Sequence, residues 1–248
     1  MKSLKRISIA IAVTGLMFLS IFCYWYDRDA FYPSGLISDF PNLGAYRVNS
    51  SMILVDLNQG KTKVFEQAFD LDTSTITPFS YGSFPWKQAD YLRIAEAFYQ
   101  FVWNESLSNW QVYQMDFSRG CQDSSTGFDS GSIILYKNAD LPTHYIARFL
   151  GIYPLKEVVR WGEGEFNKPL FGWKNIDLES MNVNADDALQ IAEDKGGTAF
   201  RLDVENECTI SVSLKRNPID DNDWFISYND KRGLKTFSIR VNPYSASP

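Results

Sequence analysis

Apolar residues recur at steps of three and four in two stretches of the chain, which predicts two amphipathic helices. The first runs from residue 85 to about residue 104, and its apolar positions are Tyr91, Leu92, Ala95, Phe98, Tyr99 and Val102. The second lies within residues 185–197. Asn184, just before it, can cap its amino end, and Gly196 can adopt the left-handed conformation that ends a helix. Ala185, Leu189 and Ala192 form its narrow buried stripe.

Each predicted helix is followed by four runs that alternate apolar and polar residues with a period of two, which indicates strands. After the first helix the runs are "WQVYQMDF", "GSIILYKN", "THYIARFL" and "EVVRW". After the second they begin near Phe200, Cys208, Trp224 and Phe237. Short connections favour antiparallel meanders, each covered by its helix. Residues 45–69 predict a further hairpin about the turn Asn58-Gln59-Gly60.

The two helices share a phrase, "ADYLRIAEAF" at residues 89–98 and "ADDALQIAEDKGG" at residues 185–197. The shared letters are Ala-Asp and Ile-Ala-Glu, with a one-residue offset between the two pieces. With the matching order of elements, this predicts an α+β fold of two helix-plus-antiparallel-sheet modules related by duplication. The first covers residues 45–160 with its preceding hairpin, 161–183 form a connector, and the second covers 184–248. The alternative is one continuous α+β domain whose two helices have similar sequences by chance.

The amino-terminal segment has the composition of a membrane anchor. Three cations precede the twenty uncharged residues 7–26, which are long enough as a helix for about 30 Å of hydrocarbon. The charge asymmetry predicts a single-pass cell-membrane protein with its amino end in the cytoplasm and its body extracytoplasmic. Residues 27–44 are predicted as the linker. A cleaved signal peptide and a lipoprotein modified at Cys23 are the alternatives.

Composition and charge limit the classes of partner that the chain can bind. The chain has 248 residues, 45% of them hydrophobic, and a formal net charge of -6. The hydrophobic fraction predicts a packed core. No basic run interrupts the body of the chain, so a nucleic-acid partner is not expected. The acidic residues are dispersed, as on an ordinary solvated surface.

Few residues offer catalytic or metal chemistry. His144 is the sole histidine, which rules out a multi-histidine zinc site, and no CxxC pair occurs. A hydrolase with Cys121 as nucleophile and His144 as base lacks an identifiable oxyanion element, so an ordinary strand histidine is favoured. We instead predict a disulfide between Cys121 and Cys208, each of which follows the first strand after its helix. The alternative is a free buried thiol, since Cys208 falls on the apolar side of its strand. No cofactor or metal site is predicted.

Two acidic clusters do not fit a known site pattern. Asp220, Asp221 and Asp223 could offer oxygen ligands to calcium, but an EF-hand loop would need glycine and glutamate at positions that hold Phe225 and Lys231. A solvated loop is the favoured interpretation. In "WGEGEF", two glutamates lie two residues apart, at 163 and 165, without a partner for glycoside hydrolysis.

The last 65 residues or so resemble the PepSY domain, an extracytoplasmic helix-and-meander module of bacterial envelope proteins and peptidase propeptides. The phrase "ADDALQIAEDKGG", the run "WFISY" and the closing "FSIRVNP" carry the resemblance. The chain departs from the family at residues 242–245, where an acidic residue and a Thr-Gly turn are usual. The resemblance implies a PepSY/cystatin-like fold and a non-catalytic binding or regulatory role.

The expected function is therefore that of a membrane-anchored, extracytoplasmic protein of the cell envelope with a non-catalytic binding or regulatory role. Its expected partner is a protein or peptide, met at a sheet face or an exposed strand edge. A structural accessory subunit of an envelope complex and a hydrolase are the alternatives.

Overall fold

Nine strands dominate the structure, a computed structural model. It describes residues 14–18, 20–21, 37–61, 63–67, 86–122, 127–169, 176–215 and 222–245. The strands are β1 Asn42–Val48, β2 Phe65–Gln67, β3 Gln111–Gly120, β4 Ser130–Asn138, β5 His144–Tyr153, β6 Val158–Asn167, β7 Cys208–Lys215, β8 Trp224–Asp230 and β9 Thr236–Val241. All neighbours pair antiparallel, in the order β2-β1-β6-β5-β4-β3-β7-β8-β9.

The helices are few and mostly short. Apart from the helical residues 14–18 and 20–21, they are α1 Ile53–Asn58, α2 Gln88–Trp103, α3 Ala185–Ala192 and α4 Thr198–Asp203, with single 3₁₀ turns at Ile37–Asp39, Leu107–Asn109 and Pro154–Lys156. A kinked turn, Glu193–Gly197, joins α3 to α4. Within that turn Gly196 has a φ of 130°, a conformation that a residue with a Cβ rarely adopts.

The predicted α+β fold of two separate modules is wrong. Strand β3 pairs with β7 over seven residue pairs, from Gln114 opposite Lys215 to Gly120 opposite Thr209, so both meanders belong to one sheet. The physical reason is that the first strand of each meander has a bare edge, and the two edges satisfy each other's backbone groups. The chain is a mostly antiparallel β-sheet with few helices.

Helices α2 and α3 cover one face of this sheet and share one core. The buried side chains of α2, among them Ile94 and Phe98, join those of α3 and the inward residues of the strands in a single apolar cluster. Met115, Val212 and Trp224 lie in its centre. Burying this continuous apolar layer is the main source of stability for such a sheet.

The opposite side, here termed the outer face, has a smaller apolar cluster on β3 to β5. Tyr113, Ile134 and Phe149 lie in it, and Phe40 packs over them from the segment before β1. A Cβ on Gly162 would lie 2.8 Å from that of Phe40, so only glycine admits this contact. The predicted linker therefore ends in residues that pack on the sheet.

Two local predictions are wrong. The run Ile53–Asn58, expected as part of a hairpin strand, forms α1, although β1 and β2 on either side of it do pair antiparallel. The alternating run at Phe200, Leu202 and Val204, expected as a strand, includes helix α4. Both runs are short, and alternation over so few residues also fits a helix.

The predicted membrane anchor is also wrong. Among the described residues, no helix is long and apolar enough to cross a membrane. Of residues 7–26, the structure describes only 14–18 and 20–21 as helix. The single-pass placement in the cell membrane is corrected accordingly; the rest of the segment lies outside the described residues.

Candidate functional site

Two aromatic residues of β8 fix α3 at both ends. The indole Nε1 of Trp224 donates a hydrogen bond of 2.8 Å to the carbonyl oxygen of Val183, just before the helix. The hydroxyl of Tyr228 donates one of 2.9 Å to Glu193, just after it. Both rings are fully buried. The distance along β8 between Trp224 and Tyr228 thus matches the length of α3. These two bonds make β8 a rigid support for β9.

Glu193, at the carboxyl end of α3, accepts hydrogen bonds from several side chains. Its Oε2 accepts hydrogen bonds from Arg201 Nε and Nη2 at 3.1 and 2.7 Å, and from Thr198 Oγ1 at 2.8 Å. Burial, followed by the charge and hydrogen bond of Glu193, raises the pKa of Tyr228, so its hydroxyl stays a donor at any physiological pH. These contacts hold α4 against β8 and β9.

Strand β9 ends the sheet. It pairs with β8 from Asn229 opposite Thr236 to Trp224 opposite Val241, and the strand order stops there among the described residues. The other edge strand, β2, has three residues. Among the described strands, the longer of the two edge strands is therefore the six-residue β9. Exposed strand edges present unpaired N–H and C=O groups to solvent or to another strand.

The backbone direction of each β9 residue follows from one hydrogen bond. The Asp230 N–H donates to the Lys235 carbonyl at 3.1 Å, which makes these two residues a hydrogen-bonded pair. Such pairs alternate in an antiparallel ladder, so Phe237 and Ile239 direct their backbone groups toward β8. Thr236 and Ser238 direct theirs to the outer edge, where no hydrogen bond links them to another described residue.

Side chains on the helix side of β9 are apolar and incompletely covered. Phe237 and Ile239 are half-buried. The Phe237 ring lies 6.2 Å from that of Phe200 on α4 and 5.4 Å from that of Tyr228, measured between centroids. Leu234, two residues before β9 in the chain, is 78% exposed. This edge therefore combines directed backbone groups with apolar surface.

The outer face beside this edge is built from small hydroxyl residues. Five serines form a row across five neighbouring strands, in the order Ser238, Ser227, Ser211, Ser118 and Ser130. Two of them bond directly, with 2.7 Å between the hydroxyl oxygens of Ser118 and Ser130. Short, polar side chains therefore cover this part of the outer face as far as Ser238 on β9.

A carboxylate is enclosed in the middle of the outer face. Asp116 accepts hydrogen bonds from Ser213 Oγ at 2.5 Å and from Gln114 Nε2 at 2.6 Å. Burial raises the pKa of Asp116, although these two bonds and the charge of Lys215 act in the opposite direction. The cluster ties β3 to β7 at the junction of the two meanders.

A second polar cluster lies at the carboxyl end of α2. The Arg148 guanidinium packs over the rings of Trp103 and Trp110 at 4.1 and 4.3 Å, and its Nε donates to Glu163 at 2.5 Å. Glu105 lies 3.5 Å from Arg148 Nη1. Burial opposes ionisation of Glu105, but hydrogen bonds from Lys137 and Trp110 outweigh it and lower its pKa. The aromatic surface is thus occupied by the protein's own arginine.

The structure joins Cys121 and Cys208 in a disulfide, with both residues buried at the end of the β3–β7 pair. While bridged, Cys121 offers no thiolate for nucleophilic attack. His144 begins β5, and its Nδ1 lies 2.9 Å from the Thr143 hydroxyl. The cysteines and the histidine lie at opposite ends of β4, about 25 Å apart at the usual rise of a strand.

The acidic residues singled out by the sequence do not converge. Glu163 pairs with Arg148, whereas Glu165 is exposed. Asp223 is half-buried, and Asp220 and Asp221 lie outside the described residues. Within the described ranges, no group of three or more His, Cys, Asp or Glu residues could hold a metal ion.

Sequence reasoning found β9 as a strand but did not single it out as the edge. Thr236–Val241 has no proline, the residue that most clearly marks an edge strand in a sequence. No family model, curated protein or solved structure matches the chain. The PepSY resemblance therefore stays a prediction.

Proposed function

We propose that this protein is a non-catalytic binding module that takes up an extended segment of a protein as an additional strand beside β9. The observation that carries the proposal is the outward direction of the Thr236 and Ser238 backbone groups along the outer edge of an ordered strand. Backbone hydrogen bonds supply affinity in this mode of recognition, and alternate side chains supply specificity.

Rigidity of the edge favours binding. A preformed strand loses little conformational entropy when a partner pairs with it. Strand β9 is held by β8, whose Trp224 and Tyr228 are fixed to both ends of α3. The edge therefore keeps its extended form without the partner.

The apolar side chains beside the edge supply a second contribution. An added strand would place alternate side chains next to Phe237 and Ile239, which are half-buried. Removing apolar surface from water contributes about 25 cal/mol per Å². The resemblance of the last 65 residues to PepSY domains points to the same non-catalytic class of function.

Peptides selected from a random display library on the purified full chain test the proposal. A bound peptide should slow amide hydrogen exchange within residues 236–241. Ser238→Pro removes an outward N–H and should abolish binding, whereas Ser238→Ala keeps the N–H and should bind like the parent. Equal binding by the two variants, or protection confined to another segment, would show that β9 is not the site.

A further inference from the structure

We propose that the strand taken up at β9 is β9 of a second copy of this chain, paired antiparallel about a two-fold axis at Ser238. This inference rests on the proposed function, because it names the partner for the same edge. A two-fold axis makes the interface isologous, so one strand must complement itself. The sequence and the backbone phase of β9 meet that requirement.

Backbone phase restricts the registers that such a pair can adopt. Residues with outward backbone groups must face each other to form hydrogen-bonded pairs. With Ser238 opposite Ser238 of the second copy, Thr236 lies opposite Arg240 of that copy, and the reverse pair follows by symmetry. All three positions have the outward phase set by the bond between Asp230 and Lys235.

Side chains on the helix side match in this register. Phe237 lies opposite Ile239 of the second copy, and Ile239 lies opposite its Phe237. These are non-hydrogen-bonded positions, where side chains approach most closely, and aromatic residues pair well with β-branched ones there. Each copy would cover the half-buried Phe237 and Ile239 of the other.

Side-chain packing selects the same register among those with the correct phase. Centring the pair on Ile239 would place Phe237 opposite Val241 at the end of the strand. Centring it on Phe237 would place Lys235 opposite the apolar Ile239. The register centred on Ser238 pairs Phe237 with Ile239 on both sides of the axis.

Surrounding surface fits a second copy. The outer-face serine row ends at Ser238, so two copies would continue a low hydroxyl surface across the seam. On the helix side, Phe237 and Ile239 are only half-buried, so apolar surface remains for a second copy to cover. The contact area of two six-residue strands is small, so association should depend on protein concentration.

Cysteine cross-linking of the full chain tests the register, with Cys23→Ser as the background. Ser238→Cys should form a disulfide-linked dimer under mild oxidation, because the two residues 238 would face each other about 5.5 Å apart. Thr236→Cys alone should remain monomeric. A mixture of Thr236→Cys with Arg240→Cys should give the mixed dimer. Equal cross-linking of the two single variants would overturn the register.

Solution mass tests association without cysteines. Light scattering should show the parent chain approaching the mass of two copies as concentration rises. Ser238→Pro should weaken association by about tenfold or more through loss of backbone hydrogen bonds, and Ser238→Ala should not. A parent chain that stays monomeric but binds library peptides at β9 would overturn this partner and leave the proposed function standing. A monomeric chain that binds none there would overturn both.

Discussion

The Asp186 carboxylate accepts a hydrogen bond of 3.0 Å from the backbone N–H of Gln88. Gln88 in turn accepts one of 2.6 Å, through its Oε1, from the N–H of Ala185. Helices α2 and α3 therefore begin against each other, and each supplies an acceptor for an amide that its neighbour cannot bond internally. This contact joins the two meanders on the helix side, as the β3–β7 pair does within the sheet.

Matching capping boxes explain why the two helices begin with similar sequences. Asp90 accepts from the Lys87 N–H at 2.9 Å, and Asp187 accepts from the Asn184 N–H at 3.4 Å, so both occupy the third position of their helix. Aligning these two residues removes the one-residue offset. Leucine, isoleucine, alanine and glutamate then also coincide, at 92, 94, 95 and 96 in α2 and at 189, 191, 192 and 193 in α3.

Asp186→Ala should lower the free energy of unfolding by about 1 kcal/mol, because it removes the acceptor at the start of α2. Asp186→Asn keeps an oxygen acceptor and should cost less. Urea denaturation measures both. Asp203→Ala, which breaks an exposed ion pair with Lys235, is the control and should stay within about 0.5 kcal/mol of the parent. A control that costs as much as Asp186→Ala would contradict the capping role.

Asp116→Asn should remove a pH dependence of stability. Burial raises the folded-state pKa of Asp116 above its ordinary value of 3.8, so the folded chain retains the proton longer than the unfolded chain. Stability from this group therefore falls as pH rises from about 4 through the folded pKa. Lys215, Arg160 and Tyr153 are the other titratable groups nearby.

Chemical denaturation of both proteins between pH 4 and pH 7 measures this difference. The asparagine variant should lose less stability than the parent over that window. Its stability at pH 7 should equal or exceed that of the parent, because a buried charge is removed while an acceptor for Ser213 remains. Parallel curves would show that Asp116 does not titrate differently in the two states.

Trp224→Phe should destabilise the protein by about 1 to 3 kcal/mol, because it leaves the buried Val183 carbonyl without its indole donor. Thermal and urea unfolding measure the loss. Phe225→Leu, on the adjacent and 43% exposed position, should change stability by no more than about 0.5 kcal/mol. Similar losses for both variants would indicate general damage to β8 rather than loss of one hydrogen bond.

Gly131→Ala should cost about 1 to 3 kcal/mol through overpacking. Its Cβ would lie 2.7 Å from Cδ1 of Tyr91 on α2, well inside contact distance. Tyr91→Leu removes that ring atom, so the double variant should lose less than the sum of the two single losses. Strict additivity in a double-mutant cycle would place the strain elsewhere.

Cys208→Ala should destabilise the chain by about 4 to 5 kcal/mol, because the bridge to Cys121 spans 87 residues and restricts the unfolded chain. Calorimetry of the parent with and without a reductant should show a loss of the same size. Mass spectrometry of unreduced peptides identifies the bridge directly. Two free thiols in the folded parent would show that it does not form.

Most strands were predictable because their alternation extends over seven or more residues. β7 and β8 each have one buried side, which fixes a period of two in the sequence. The union of the two meanders was not predictable, since the β3–β7 pair joins residues about a hundred positions apart and no local pattern records it. Helix α4 was missed because its alternation is also compatible with a short helix.

The candidate site was predictable only in part. Phe237, Ile239 and Val241 marked β9 as a strand with one apolar side. Its place at the edge depends on the order of all nine strands. Which of its backbone groups point outward depends on the hydrogen bond between Asp230 and Lys235 in the turn before it. Local sequence specifies neither. Trp224 and Tyr228 were recognised as a motif, but their bonds to the two ends of α3 required the packed structure.

The pairing of β3 with β7 can form only late in synthesis. Strand β3 is complete at Gly120, whereas β7 begins only at Cys208. At roughly 5 to 20 residues per second, the ribosome needs about 4 to 18 seconds to add the intervening chain. During that interval an apolar ten-residue strand lacks one neighbour, and Cys121 lacks its disulfide partner. The nascent chain should therefore depend on protection from aggregation until its last third has emerged.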